Sequence, residues 1–270
     1  MLKQLTLFFF LLLPAYAISA PKAEVWKHWE AHNPDSVQII DHSDWHALLQ
    51  SYVKPASDGI NYFAYKNVSE NDKKNLAGYI SRLEEVTITE FNRAEQQAYW
   101  INLYNALTVE LILRYYPVES IRDIDISPGF FSSGPWKKKL LMIEGETLSL
   151  DDIEHRILRP IWQDPRIHYA VNCASIGCPN LSNEAFTAQN TDVLLTQGAI
   201  AYINHPRGVS INNDELTLSS IYKWFKQDFG TDDRAIIQHL QAYAKPALKA
   251  QLNGLFDIAD YEYDWSLNEQ

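Results

Sequence analysis

The stretch between Asn92 and Pro117 limits the fold more than any other part of the chain. Ala94, Ala98, Ile101, Leu107, Leu111 and Ile112 recur at helical spacing, which predicts a long helix. Asn92 can cap it, Glu95 stands at the third helical position, and Pro117 ends it, because the residue before a proline is biased away from helix. Inside it, Asn102 and Asn105 stand three apart and share a face with Tyr99. Asn is a mediocre helix former, since its side chain competes for backbone hydrogen bonds. Two of them in a core-like helix have two explanations. They satisfy the backbone of a buried loop, or they line a site.

Other elements group around that helix. Ser69 is placed to cap a helix reaching Glu85, with Leu76, Ile80 and Leu83 on its apolar side. Gly59 to Tyr65 reads as a turn and a short extended piece. Ser127 to Lys139 is a Gly/Pro/Ser-rich loop with three aromatics, read as a lid or substrate rim. Leu140–Ile143 and Thr147–Leu148 form a hairpin turned at Gly145. Ser149, with Asp152 three residues on, caps a short helix to Arg159. On that helix Glu154 shares a face with Leu150, Ile157 and Leu158. A carboxylate there needs a partner, such as Arg114 or Arg166, or a raised pKa. Leu194–Asn204 reads as a helix, and a hairpin follows around Asn212–Asn213. Leu218–Phe229 reads as an amphipathic helix ended by Gly230, Asp232–Leu252 as a helical region broken at Pro246, and Asp257–Asp264 as a last strand. Helices first, then strands mixed with helices, predict an α+β fold: a single mixed domain with helices packed on a small, mostly antiparallel sheet.

The chemistry concentrates in Asp164–Leu181, DPRIHYAVNCASIGCPNL, which holds both cysteines of the chain. Ile167, Tyr169 and Val171 alternate with His168, Ala170 and Asn172, predicting a short strand with His168 and Asn172 on its polar face. Cys173 then falls where strand gives way to loop, ahead of the turn residues Gly177 and Pro179. On a regular strand position 173 points away from 168, so a His168–Cys173 contact requires the chain to turn.

A formal charge of −11 argues against nucleic acid and against electrostatic binding to anionic lipid. Lys3, the apolar run Leu5–Leu13 and Ala15-Tyr16-Ala17 read as an export signal over residues 1–17, too short to span a bilayer. The expected location is periplasmic or secreted, with no transmembrane anchor after cleavage. Residues 18–44 form a His/Trp-rich arm, and residues 45–270 the α+β domain. His28 and His32, like His42 and His46, stand four apart and could bind a metal from one helix face. No third ligand is evident, and the tryptophans point to packing, so no metal and no cofactor are expected. In an oxidising compartment a cysteine pair is most often a disulfide. Cys173 and Cys178 enclose so short a loop that a bridge would stabilise the fold little, which favours a redox or regulatory bridge over a staple.

Four stretches together resemble the domain-of-unknown-function 547 family. They are Tyr99–Ala106, Leu148–Arg159, Asp164–Cys173 with Cys178-Pro179, and Leu218–Phe225 with Asp228-Phe229. The resemblance spans roughly residues 45 to 230 and implies little about activity, as the family's name records. From the residues themselves three readings follow. In the first, Cys173 is a nucleophile, His168 its base and Glu154 the group that orients the imidazole, with Asn172, Asn102 or Asn105 in the oxyanion or substrate site. That set suits acyl transfer on a peptide or amide-type substrate in the cell envelope. Papain-like and transglutaminase-like enzymes use such a trio in the order Cys, His, acid, and their architecture is compatible with the α+β pattern; here the order is Glu, His, Cys. In the second, Cys173 and Cys178 carry out thiol–disulfide chemistry. In the third, the chain is a non-catalytic binding module or envelope scaffold with a plain disulfide, its partner an envelope protein.

Overall fold

Asn92 caps α3 (Arg93–Tyr115) by accepting from the backbone N–H groups of Ala94 and Glu95. Every residue from Ala98 to Val109 is buried, so the helix is covered on all sides. It forms the axis of the fold. The computed structural model describes residues 21–129 and 134–270. The segment expected to be an export signal, 1–17, the first residues of the expected arm and Phe130 and Phe131 of the aromatic loop lie outside the described residues.

Around α3 lie α1 (Ser43–Tyr52) and α2 (Glu70–Glu84), the latter capped by Ser69 as its sequence predicts. The short hairpins β1–β2 (Val53–Pro55, Asn61–Phe63) and β3–β4 (Leu141–Ile143, Glu146–Leu148) are both antiparallel. The arm packs down: Trp29 is buried edge-on against Trp100 at 5.1 Å. The next helix starts as α4 (Leu150–Asp152) under a Ser149/Asp152 capping box, widens into a π-helical turn over Ile153–Leu158, and ends as α5 (Arg159–Trp162).

A second apolar cluster joins α6 (Thr191–Ile203), β5 (Val209–Asn212), β6 (Glu215–Ser219), α7 (Ile221–Trp224), α8 (Lys226–Phe229), α9 (Asp233–Tyr243) and α10 (Pro246–Leu252). The β5–β6 turn falls on Asn213 and Asp214, both at positive φ, one residue later than the sequence suggests. β7 (Asp260–Glu262) adds in parallel to β6. The whole is one α+β domain of helices with small sheets, antiparallel apart from that last pairing. Among the described residues no helix is long and apolar enough to cross a membrane.

Two expectations fail locally. The strand expected through Ile167–Val171 is a 3₁₀ helix, Pro165–Tyr169. Asp164 caps it by accepting from the Arg166 N–H, and Pro165 supplies the preset φ of a first helical residue. Leu218 and Ser219 belong to β6, and Phe225 breaks the expected Leu218–Phe229 helix into α7 and α8.

The 164–181 segment is the seam between the clusters. Ile167, Ala170, Val171, Ala174 and Leu181 join the core around α3, and Tyr169 joins the other. The residues after β7 cross this seam. Gly177 N–H donates to Asp264 O (2.8 Å), Ile176 N–H to Ser266 O (2.8 Å), and Asn268 N–H to Ala174 O (3.0 Å). Gly177 permits that approach, since a Cβ there would lie 2.8 Å from the backbone N and O of Asp264.

Candidate functional site

Asn105 of α3 donates to Ala170 O and accepts from Asn172 N–H, both at 2.8 Å. Asn172 accepts from Ala174 N–H (2.8 Å) and donates to Pro179 O (2.7 Å). Two side-chain amides thus clamp the loop on either side of both cysteines. Ala174 takes a left-handed φ of 57°, which doubles the chain back behind Cys173. Asn102 holds Phe186 through its backbone N–H and C=O. All three asparagines therefore satisfy loop backbone.

The turn brings the thiols together. Both are free; Cys173 is half-buried and Cys178 buried. Their sulfurs are 3.0 Å apart, and Cys173 N–H donates to the Cys178 sulfur at 3.0 Å. The Ser175 hydroxyl lies 3.2 Å and the Tyr263 hydroxyl 3.0 Å from the Cys173 sulfur. The Cys178 S–H beside it draws the Cys173 pKa down to about 7; burial opposes this, and the two hydroxyls add to it. Burial, with the neighbouring Cys173 charge, pushes Cys178 well up. The two shifts run in opposite directions, so as pH rises Cys173 becomes the thiolate first, facing a Cys178 that is still a thiol.

The expected base and acid belong to a neighbouring network. His168 Nε2 is 2.7 Å from Asp228 Oδ2, and its Nδ1 faces Glu154 Oε1 at 3.7 Å. Phe225 stacks on the ring at 4.1 Å. Burial lowers the His168 pKa despite Asp228, so the imidazole is neutral. Arg159 bonds Asp228 through Nε (2.5 Å) and Nη2 (3.2 Å) and also meets His155 Nδ1 (3.0 Å). Burial works against the Asp228 charge, but His168 and Arg159 outweigh it and hold the carboxyl well below the usual range. The π-helical turn carries Glu154 and His155 inward together. Burial lifts Glu154 to about 8, with Arg159 opposing, and Tyr104 O–H donates to it at 3.1 Å. Glu154 thus takes the raised pKa. Arg114 and Arg166, its candidate partners, bind Glu110 and Asp164 with Asp192. Among the described residues no hydrogen bond or ion pair joins His168 to Cys173.

Sequence reasoning missed Ser175, Tyr104, Arg159, Asp228 and Tyr263. Arg159 and Asp228 lie inside the quoted motifs, a signal that could have found them. Tyr263 lies 90 residues from Cys173 and carries no local signal. A cleft of about 490 Å³ is lined by Gly177 and Tyr263, next to the thiol pair, and by polar residues, Arg207, Ser210, Asn212 and Asp264 among them, together with Pro206 and Leu218. The histidines weighed as metal ligands go to separate partners: His28 to Glu144, His32 to Arg93, His42 to Tyr79 and His46, in α1, to Ala185. Among the described residues no group of three His, Cys, Asp or Glu side chains is placed to hold a metal ion.

Residues 88–203 match the family described as "Protein of unknown function, DUF547". The family resemblance drawn from the motifs holds over that segment, which contains α3, the π-helical turn and both cysteines; Asp228 and Tyr263 lie beyond it. No curated protein and no solved structure matches the chain.

Proposed function

For a chain whose residues 88–203 match a family of unsettled function, we propose thiol–disulfide exchange through Cys173 and Cys178. The observation that carries the reading is the 3.0 Å contact between two free and unequal sulfurs, one half-buried and lowered to about 7, the other buried and raised. This is the division of labour that exchange requires. The Cys173 thiolate attacks one sulfur of a substrate disulfide, and the other substrate sulfur leaves with the electron pair. Cys178 then loses its proton and attacks the Cys173 sulfur, releasing the second substrate thiolate. The Cys178 proton and one from solvent, which took up the Cys173 proton when the thiolate formed, end on the two substrate sulfurs, and two electrons pass from enzyme to substrate. The reverse sequence oxidises a substrate dithiol.

Residues 1–17, read from their sequence as an export signal, support a place for this chemistry in the periplasm or outside the cell, with disulfide-bearing envelope proteins as the proposed substrates. Acyl transfer by a Cys173–His168–Glu154 trio is the weaker reading, because one imidazole nitrogen is bonded to Asp228 and the other faces Glu154.

The test is equilibration of the purified protein in glutathione buffers of graded ratio, followed by thiol trapping and mass spectrometry. A reversible Cys173–Cys178 bridge, and a glutathione adduct on Cys173 in Cys178→Ser, are expected. A pair that stays wholly reduced or wholly bridged across the series would overturn the proposal.

A further inference from the structure

We infer that Tyr263 is a catalytic residue of this exchange: its phenol donates to the Cys173 sulfur and holds it as the attacking thiolate. The inference rests on the dithiol reading and extends it to a residue outside the matched segment.

Three contacts form a triangle. Tyr263 O–H is 3.0 Å from the Cys173 sulfur, Ser175 Oγ is 3.2 Å from it, and the two hydroxyl oxygens are 2.9 Å apart. A thiolate brings lone pairs and no hydrogen, so the two hydroxyl hydrogens must serve three edges. The phenol, with a reference pKa near 10, is far closer in acidity to a thiol than an aliphatic hydroxyl is, and so gives the stronger bond to a sulfur anion. Ser175 then either donates to the same sulfur or donates to the Tyr263 oxygen and strengthens its O–H. During attack the phenol keeps its proton. The electron pair moves from the Cys173 sulfur to the substrate sulfur, and the substrate's own S–S bond breaks.

The phenol is also held in place. Glu262 O accepts from Ser220 N–H and Asp264 O from Gly177 N–H, both at 2.8 Å, so the backbone is pinned on each side of Tyr263. Its ring packs against Trp224, at 4.8 Å, and Trp265, at 4.6 Å, and those two rings meet each other at 5.5 Å. Burial keeps the phenol protonated while the thiol titrates. A donor fixed this firmly against the reacting atom is the preorganised arrangement that stabilises charge.

The test compares reduced wild type, Tyr263→Phe and Ser175→Ala by the pH profile of Cys173 alkylation, read by peptide mass spectrometry. Loss of the phenol is expected to raise the thiolate pKa by about one unit, giving roughly tenfold slower alkylation near pH 6 and rates within about twofold at the alkaline end. Ser175→Ala is expected to lose less than Tyr263→Phe. Gly177→Ala keeps the phenol but pushes the Asp264 backbone away, and is expected to show the same acid-side loss, which guards against a Phe variant that folds poorly. A Tyr263→Phe profile that superimposes on wild type overturns the inference while leaving the dithiol reading intact. Absence of exchange in wild type itself overturns the reading first.

Discussion

His168 Nε2 and Asp228 Oδ2 lie 2.7 Å apart, bridging 60 residues of chain and tying the 3₁₀ helix to α8. That bond makes the imidazole part of a buried electrostatic frame with Arg159. His168→Ala is therefore expected to leave the Cys173 alkylation rate within about twofold of wild type, yet to lower stability by about 3 kcal/mol, as removal of a partner from a buried charged group does. A large, pH-dependent drop in thiol reactivity with unchanged stability would restore the acyl-transfer trio.

Asp228 gives a pH signature. Its folded pKa is depressed, so its stabilisation is present above the reference value of 3.8 and is lost as pH falls below it. Asp228→Asn should be markedly less stable than wild type at neutral pH, and the gap should narrow in acid. Thermal melts of both proteins across the acid range check the sign.

Glu154 has the opposite sign. Its folded pKa of about 8 lies above the reference 4.5, so there is no penalty in acid, and wild type loses stability as pH rises from about 4.5 to about 8. Glu154→Gln resembles the protonated acid and should be close to wild type in acid and relatively more stable near pH 8. Melting curves that keep a constant offset between the two would contradict a raised pKa.

Cys178 is the largest cause of the low Cys173 pKa. Reduced wild type should show half-maximal Cys173 alkylation near pH 7, and Cys178→Ser should move the midpoint upward, because a serine hydroxyl is a shorter and less acidic donor than the thiol it replaces. A midpoint that stays put would mean the 3.0 Å sulfur contact does not tune the thiol.

Asn105 anchors the thiol loop from α3. Asn105→Ala strips hydrogen bonds from Ala170 O and Asn172 N–H, and a cost of about 1–3 kcal/mol for the unsatisfied buried backbone is expected in chemical denaturation. The same variant should loosen amide-exchange protection at Asn172. Protection equal to wild type would leave Asn105 as simple filling.

What the sequence revealed follows the range of the forces involved. α3 is legible because its cap, its period and its closing proline all act within a turn. Glu154 is legible as a carboxylate on an apolar face, since position along one helix decides that. The 164–171 segment misleads because every residue from Ile167 to Asn172 is buried, so the alternation of Ile167, Tyr169 and Val171 marks no exposed face and does not separate a strand from the 3₁₀ helix that forms. Asp164 decides between the two through one capping bond. Tyr263 is illegible because nothing near it in sequence marks it, and its role depends on a long-range backbone hydrogen bond that brings Asp264 against Gly177. The neighbouring Gly177 carries the trace of that contact as a residue with no room for a side chain.

The crossing of the thiol loop by the segment after β7 also sets an order in time. Synthesis reaches Cys178 well before Tyr263, Asp264 and Ser266 exist, and at ordinary elongation rates the interval is on the order of ten seconds. Throughout it the loop lacks its phenol donor and its backbone partners, and the two sulfurs are ordinary thiols on an unfinished chain. The reactive pair is thus assembled late, by residues that arrive after most of the core, and the growing polypeptide carries its cysteines past the ribosome before they acquire their chemistry.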